Sequence, residues 1–470
     1  MKITYTDFKS SLPNLKVLVW GIGIAGGGVN IAKYFAENGS LIRAIDIKDR
    51  EALKESVEIL EKYQNIEIHL GEHKVEDFLW ADLIIKNPAV PPTNEFLKVC
   101  RENNKKVETE ISLFMKYAEG YKIGITGTRG KSTTTALLTH VLQSSGKSVF
   151  NGGNNRTSLI NQIEKIQKDD LVVMEISSFM CDSLRENKIS PNLSIITNIY
   201  PDHLNWHPSM QHYIDSKGAL IEFQSKDDVA ILNTSNEIVK ENYSSLGNGK
   251  RFLLDKIEIA SIEKKLIVNG GIINAELEGA HNLENISLVW EASKYLGISE
   301  NEVLESIKTF NGLEYRQQKV CEKSNVIFIN DSTSTMPQAT IVCLERFASK
   351  GNVHLIIGGV DKNLPVEELI EKLKLTKTIH WLEGSLYEKI MNILNEPRLQ
   401  KERENLISFG PYGNMSDAVS SAYDQAKDVG GYVILSPSAA SFNLFKNEFD
   451  RGQKFDEAVS HISPDPQLKR

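Results

Sequence analysis

Cysteine is scarce in this chain. Its four cysteines, Cys100, Cys181, Cys321 and Cys343, lie far apart and form no Cys-x-x-Cys pair. That favours buried thiols over a disulfide scaffold or a thiolate zinc site. No apolar run is long enough to span a bilayer, and the opening Met1-Lys-Ile-Thr-Tyr-Thr-Asp7 lacks the apolar core of a secretory signal. A cytoplasmic protein without a membrane span is expected. An excess of positive charge is missing too. The net charge of -8 argues against a nucleic-acid surface, so anionic ligands must be held by local sites. No internal repeat or low-complexity tract appears. The remaining composition, 41% hydrophobic and 25% charged over 470 residues, is that of a globular protein too long for one core and suited to about three domains.

The first positive signal is Lys122-Ile-Gly-Ile-Thr-Gly-Thr-Arg-Gly-Lys-Ser-Thr-Thr-Thr135. Ile123 and Ile125 read as a short buried strand, which breaks at Gly127 and Gly130 and runs into a helix opening at Lys131-Ser132-Thr133. Glycines let backbone N–H groups fold around a phosphate, and a helix N-terminus adds partial positive charge there. Gly127, Thr128, Gly130, Lys131, Ser132 and Thr133 are therefore expected to bind ATP. Lys131 would neutralise the β- and γ-phosphates, and the Ser132 or Thr133 hydroxyl would ligate Mg2+. The spacing is not the strict Walker A form, because Gly124 lies one residue too far upstream of Gly130-Lys131. An ordinary strand–turn–helix with a solvated lysine is the competing reading.

A second glycine loop precedes it. Lys16-Val-Leu-Val-Trp20 reads as a strand, followed by Gly21-Ile-Gly-Ile-Ala-Gly26 and a helix through Ala32, Tyr34 and Phe35. Leu41-Ile-Arg-Ala-Ile-Asp46 is a second strand, ending in an acid at the spacing of a Rossmann fold. Ile66–Leu70 and Asp82–Lys86 look like further strands of one parallel sheet. A diphosphate at the Gly26 helix start and a ribose or base near Asp46 are expected. By itself the motif also suits NAD, FAD or nucleotide-sugar binders, or a structural glycine turn.

After the ATP loop, Ser148-Val-Phe-Asn-Gly-Gly-Asn154 reads as a strand and turn. Asp170-Leu-Val-Val-Met-Glu175 is an apolar strand with an acid at its C-terminal end, where α/β sheets present ligand groups. Glu175 suits a Mg2+ role, against the alternative of a solvated strand-end carboxylate. Leu193–Ile199 reads as another buried strand, ending in Tyr200-Pro-Asp202-His203, and Tyr213–Phe223 as a helix carrying Lys217. A lone histidine such as His203 is more often structural, and by spacing alone Lys217 is a snorkelling surface lysine.

Residues 250–277 alternate apolar and polar side chains around Asn269-Gly270-Gly271, which predicts a small antiparallel β insertion. A helix opens at Gly279-Ala-His281-Asn282, and a second, Glu300–Phe310, ends at Asn311-Gly312, a C-cap and domain boundary. Three further strands, Asn325–Asp331, Val353–Gly358 and Gly431–Ser436, end in the loops Asp331-Ser-Thr-Ser-Thr335, Gly359-Val-Asp-Lys362 and Pro437-Ser-Ala-Ala-Ser441. Hydroxyls and a lysine there suit a small anionic ligand. Residues 396–405 are charged and expected to be exposed.

In their order these marks resemble the Mur ligase family, ATP-dependent amide-forming enzymes of peptidoglycan synthesis, over nearly the whole chain. The resemblance rests on Thr126-Gly-Thr-Arg-Gly-Lys-Ser132, Glu175-Ile-Ser-Ser-Phe179, Asn198 with Asp202-His203, Lys217, His281-Asn282 with Asn285, Arg316 and Asn330-Asp331-Ser332. Lys86-Asn-Pro-Ala-Val-Pro91, Gly312-Leu-Glu-Tyr-Arg316, Gly358-Gly-Val-Asp-Lys362 and Ser436-Pro-Ser-Ala-Ala-Ser441-Phe442 are similar to the branch that adds glutamate. The chain departs from the family's usual residues at Ala25, Ala89, Arg129, Asn155-Arg156, Tyr315 and Thr333. In Phe445-Lys-Asn-Glu448-Phe449 the aromatic is displaced by one, which bears on amino-acid specificity.

The resemblance implies an α/β protein of three domains. These are an N-terminal Rossmann-like domain (1–119), a central P-loop ATPase-type domain with the small β insertion (120–312), and a C-terminal Rossmann-like domain (313–470). It implies a monomer that uses ATP and Mg2+ to join glutamate, D-glutamate first, to UDP-N-acetylmuramoyl-L-alanine through an acyl phosphate. By resemblance Lys131, His203 and Lys217 are catalytic, and Lys217 is N-carboxylated. Ser132, Glu175, His203 and Lys217 hold metal, and Asn282, Asn285, Arg316 and Asp331 complete the ATP site. Gly23, Ile24, Ala25, Asp46, Ile47, Asn87 and Asn154 contact the UDP substrate, and Thr335, Lys362, Ser441 and Phe442 the glutamate. A ligase adding L-glutamate or another amino acid, or acting on a non-murein carboxylate, is the nearest alternative. A folylpolyglutamate synthase would begin near the ATP loop. An NAD-dependent oxidoreductase leaves the second glycine loop without purpose, and a nucleotide switch would not need Glu175, His203 and Lys217 together.

Overall fold

A computed structural model describes residues 4–23, 26–154, 158–270, 280–310 and 312–462. The chain divides into two compact units, Met1–Phe310 and Asn311–Arg470. The first unit carries two parallel sheets. Strands β1 (Lys16–Trp20), β2 (Leu41–Asp46), β3 (Ile66–Leu70), β4 (Leu83–Lys86) and β5 (Lys106–Glu108) stand in the order β3-β2-β1-β4-β5. The central strands β1, β2 and β4 are largely buried, as parallel sheets require. The strand order reverses between β1 and β4, and there Trp20 pairs with Lys86, so Gly21 and Asn87 emerge side by side. That is the crevice in which doubly wound sheets hold ligands.

The second sheet contains β6 (Tyr121–Thr126), β7 (Val149–Gly153), β8 (Leu171–Glu175), β9 (Leu193–Ile196), β10 (Val229–Asn233) and β11 (Lys250–Leu254), ordered β11-β10-β9-β6-β8-β7. Central β6 pairs with β8 at Ile125–Glu175 and with β9 at Thr126–Ile196. The C-terminal ends of all three strands are therefore level. One continuous apolar core runs from Phe8 and Tyr117, whose rings stack at 4.1 Å, through both sheets to Tyr213 and Tyr243.

The expected antiparallel insertion is not formed in the described part of 250–277. β11 pairs in parallel with β10, and Lys256–Gly270 is a helix. The local alternation of Lys256-Ile-Glu-Ile misleads. Ile259, Ile262 and Leu266 are buried at helical spacing, while Ile257 and Ile267 are 76% and 58% exposed. Asp255 caps this helix by accepting from the Ile257 and Glu258 N–H groups, and Glu258 accepts in return from the Asp255 N–H. Residues 271–277 lie outside the described residues.

The second unit is a six-stranded sheet of β12 (Gln318–Lys323), β13 (Val326–Asn330), β14 (Val353–Gly358), β15 (Thr378–Leu382), β16 (Ser408–Tyr412) and β17 (Gly431–Leu435). Its order is β12-β13-β17-β14-β15-β16, with β12 the antiparallel edge. As the sequence predicts, β13, β17 and β14 are parallel neighbours. Cys100, Cys181 and Cys343 are buried free thiols, and Cys321 is half-buried on β12. No helix among the described residues is long and apolar enough to cross a membrane.

Candidate active site

The glycine loop that follows β6 is held in shape by β9. The Thr128 N–H donates to the Asn198 carbonyl at 2.8 Å, and the Arg129 N–H donates to Asn198 Oδ1 at 2.9 Å. The Thr197 hydroxyl donates to the Arg129 carbonyl at 2.6 Å. Arg129, a departure from the usual asparagine, is exposed on the outside of the turn. Gly130 caps the helix Lys131–Ser144 with a left-handed backbone (φ 83°), and a Cβ there would stand 2.3 Å from Asn285 Oδ1. Asn285 accepts from the Thr134 hydroxyl, and its amide donates to Asn282 Oδ1. The loop, Ser132 and Thr133 in the first helical turn, and Asn282 and Asn285 therefore form one group. Lys131 Nζ donates to the carbonyls of Gly127 and Thr128, at 3.0 and 2.9 Å. Asn198 is a structural pin of this loop that the sequence presents only as a motif position.

Glu175 ends β8 beside that loop. It is buried, and Asn154 donates its amide to Glu175 Oε1 at 2.9 Å. The pairing of Gly153 with Glu175 across β7 and β8 explains why Asn154 arrives there. Lys217, on the helix Met210–Glu222, is not a surface lysine. It is buried, and its Nζ donates to the Gly127 carbonyl at 2.8 Å and to Thr126 Oγ1 at 3.2 Å. Burial, and then the charge of Lys131, lower its pKa to about 7. His203 follows β9 with a left-handed backbone (φ 52°) and stands 5.0 Å from the Phe179 ring. Burial lowers its pKa, partly opposed by Asp202. Among the described residues no three His, Cys, Asp or Glu side chains gather as a ready-made metal cage. Ser132 and Glu175 do supply hard oxygen donors at one edge of the loop, the donor chemistry that Mg2+ takes alongside phosphate oxygens.

In the first sheet Asp46 is buried at the end of β2. Its carboxylate accepts from the Gly23 N–H at 3.0 Å and the Lys48 N–H at 3.1 Å. Asn87 sits on Gly21, where an added Cβ would meet Asn87 Cβ at 2.8 Å. Ile47 is 68% exposed on the same rim. Ile24, Ala25, Asn155 and Arg156 lie outside the described residues. Ala89 accepts a hydrogen bond from the Trp206 indole through its carbonyl.

In the second unit Lys362 Nζ donates to Thr335 Oγ1 at 2.8 Å. The Val360 and Ala440 backbones exchange two hydrogen bonds of 2.9 Å, which brings the Lys362 loop against the Ser441 loop. Ser441 is buried and Phe442 is 65% exposed. Asp331 is buried and engaged, accepting from the Ser436 hydroxyl and the Gln317 N–H, and burial raises its pKa to about 6. It therefore acts here as a scaffold acid beneath the loops, while Arg316 is exposed. Two departures meet: the Thr333 hydroxyl donates to the Tyr315 carbonyl at 2.8 Å, and the displaced Phe449 faces the Tyr315 ring at 6.0 Å. Sequence reasoning missed Arg451. Its buried guanidinium donates to the carbonyls of Ser332 and Ala439 and to the Ser332 hydroxyl, tying two loops together. A lone arginine in a helix carries no local signal of that role.

Residues 125–292 match the Mur ligase middle domain, and residues 15–108 match the Mur ligase MurD-like N-terminal domain. Relatives named UDP-N-acetylmuramoylalanine--D-glutamate ligase extend over almost the whole chain. The protein of Roseiflexus sp. (strain RS-1) is 31% identical, covering 96% of this chain and 100% of its own. That of Clostridium novyi (strain NT) is 33% identical, covering 98% and 100%. Among solved structures, UDP-N-acetylmuramate-alanine ligase MurC from Thermotoga maritima aligns with a TM-score of 0.56 at 20% identity, over 95% of this chain and 99% of that one. MurF ligase from Thermotoga maritima, solved in complex with ADP, aligns at 0.53 and 14% identity over 96% of each chain. The structural likeness is one of fold, and the sequence likeness goes further: the chain belongs to the Mur ligase family.

Proposed function

We propose that this protein is an ATP-dependent ligase that joins glutamate, D-glutamate first, to the carboxylate of UDP-N-acetylmuramoyl-L-alanine in peptidoglycan synthesis, as a cytoplasmic monomer. The observation that carries the reading is the level ending of β6, β8 and β9, which brings the glycine loop, Glu175 and the His203 turn to one end of one sheet, where Lys217 reaches from its helix to the Gly127 carbonyl. Three functional domains, 1–119, 120–312 and 313–470, are part of the same reading, one for each sheet.

Joining a carboxylate to an amine in water is uphill, so the carboxylate is first phosphorylated by ATP. Its oxygen attacks the γ-phosphorus and ADP leaves. The glutamate amine then attacks the acyl carbon, and phosphate departs from the tetrahedral intermediate with the carboxylate oxygen. Both steps gather negative charge, so fixed cations and N–H donors are the main catalytic resource. Lys131 and the loop N–H groups receive the phosphates, with Asn282 and Asn285 beside them in the first unit; in the second unit Arg316 is the exposed nucleotide contact of this reading, and Asp331 supports its loops from beneath. Gly23, Ile24, Ala25, Asp46, Ile47, Asn87 and Asn154 receive the UDP substrate. Lys362, Thr335, Ser441 and Phe442 receive the glutamate.

Ser132, Glu175, His203 and a carboxylated Lys217 are the residues that would hold Mg2+, which supplies further neutralisation of phosphate charge. A bare Lys217 ammonium would repel that cation. Its neutral amine adds CO2 and releases one proton, which leaves an N-carboxylate with two hard oxygens.

The test is phosphate release from ATP with UDP-N-acetylmuramoyl-L-alanine and each amino acid in turn, both enantiomers of glutamate included. Release that requires the muramoyl substrate and peaks with D-glutamate supports the reading. A peak with L-glutamate moves the assignment to the related ligase, the alternative that the displaced aromatic Phe449 keeps open. Release that ignores the muramoyl substrate overturns it.

A further inference from the structure

A set of side chains without a part in the proposed chemistry closes around the turn that carries His203. The turn is shut by the N–H groups of Trp206 and His207, which donate to the His203 carbonyl at 3.0 and 2.9 Å. It holds His203 in a left-handed conformation, which is uncommon for a non-glycine residue unless its surroundings favour it. Two anchors do so. On one side the Trp206 indole N–H donates to the Ala89 carbonyl at 3.0 Å, in the loop after β4. On the other, fully buried His207 sets its Nδ1 2.9 Å from His212 Nδ1. His212 Nε2 faces Asp182 Oδ1 at 3.5 Å, and the Ser216 hydroxyl donates to that same oxygen at 3.0 Å.

With the His212 proton on Nε2, the nitrogen that faces the Asp182 carboxylate, His212 Nδ1 accepts and His207 Nδ1–H donates. The Phe179 ring packs against His203, Trp206 and His207 at 5.0, 4.7 and 5.9 Å. His207 and Asp182 are buried and His212 is half-buried, and burying such a chain of polar groups is unfavourable unless they are bonded to one another. An apolar residue at position 207 would fill the space more simply. What the chain adds over packing is a fixed direction for the turn.

We propose that His207, held through His212 and Asp182, is a positioning residue that sets the His203 turn for the ligase reaction, and that Trp206 ties this turn to the Ala89 loop. The inference rests on the function proposed above. It is tested by comparing His207→Phe, which fills the space without the bond, with His207→Asn, whose amide can replace Nδ1–H in less volume. With one buried hydrogen bond at stake, kcat should fall about tenfold in His207→Phe and by less than about threefold in His207→Asn. Hydrogen exchange of the backbone amides at 203–207 should quicken in the Phe variant and not in the Asn variant. Nucleotide affinity, read without turnover by fluorescent-nucleotide titration, should be unchanged in both.

Equal losses, no loss, or Phe better than Asn means packing alone, and overturns the inference. Should both variants fail to fold, His212→Gln against His212→Leu repeats the comparison one link outward. Trp206→Phe should raise the KM for the muramoyl substrate about threefold and leave that for ATP alone; equal shifts overturn the Ala89 tie. If the wild type releases no phosphate with the muramoyl substrate, the proposed function fails, and the exchange comparison still decides the positioning role.

Discussion

An amine buried as deeply as that of Lys217, with a second ammonium at Lys131 nearby, holds its proton weakly, and its pKa falls to about 7. Near neutral pH much of it is the free base, the form that adds CO2. Lys217→Ala should be nearly inactive, and short carboxylates such as acetate should restore part of the rate. The neutral fraction grows as pH rises through about 7, so wild-type activity should fall on the acid side and recover there with added bicarbonate. Acetate should not rescue Lys131→Ala, whose missing charge serves phosphoryl transfer in the proposed mechanism and whose loss should cost about 3 kcal/mol in the transition state. Lys217→Ala with most of its activity would leave the residue as a buried structural amine. At the other end of the chain, Lys362→Ala should raise the glutamate KM far more than the ATP KM. Steady-state kinetics showing equal effects would count against the pocket.

The phosphate loop owes its shape to positions where no side chain fits. At Gly130 a left-handed backbone and an Asn285 oxygen 2.3 Å from any Cβ act together. Gly130→Ala should weaken nucleotide binding at least about tenfold, measured by titration, with the thermal midpoint changed by only a few degrees. This loop was legible from residues alone, because an apolar strand, two glycines and a helix start each leave a local mark. The same holds for β1, β2 and β13, which are short apolar runs closed by loop residues. Lys217 was not legible that way. Its burial depends on a helix crossing beneath β6, and only the family resemblance singled it out. The helix Lys256–Gly270 was misread because four residues of alternation satisfy a strand period, whereas the buried positions Ile259, Ile262 and Leu266 reveal their spacing over a longer window. Arg451 and Asn198 belong to a third kind. Their partners come from distant loops, so nothing near them in sequence announces the bond.

Across the molecule, two units carry three sheets, and each sheet presents its candidate ligand loops at strand C-terminal ends. The second unit also buries a polar chain in which His354 Nδ1 and His380 Nε2 both contact the Thr378 hydroxyl at 2.8 Å. Burial pushes both histidines down to about 4, with Lys377 adding to the effect at His354 and His354 at His380. Their folded-state pKa lies below the unfolded value. The stability they allow is therefore complete above pH 6.5 and is lost as pH falls toward 4, by on the order of 2 kcal/mol each. Chemical denaturation of the full chain from pH 7.5 to 4.5 should show this loss, and His380→Phe should flatten it. The central claim is that the carboxylate of the UDP-linked substrate is activated by phosphoryl transfer before the amine attacks. The direct measurement uses UDP-N-acetylmuramoyl-L-alanine labelled with oxygen-18 in that carboxylate, with ATP and glutamate, and reads the isotope in the released phosphate by mass spectrometry. One labelled oxygen in the phosphate for each amide formed is the predicted result; amide formation with unlabelled phosphate would contradict it.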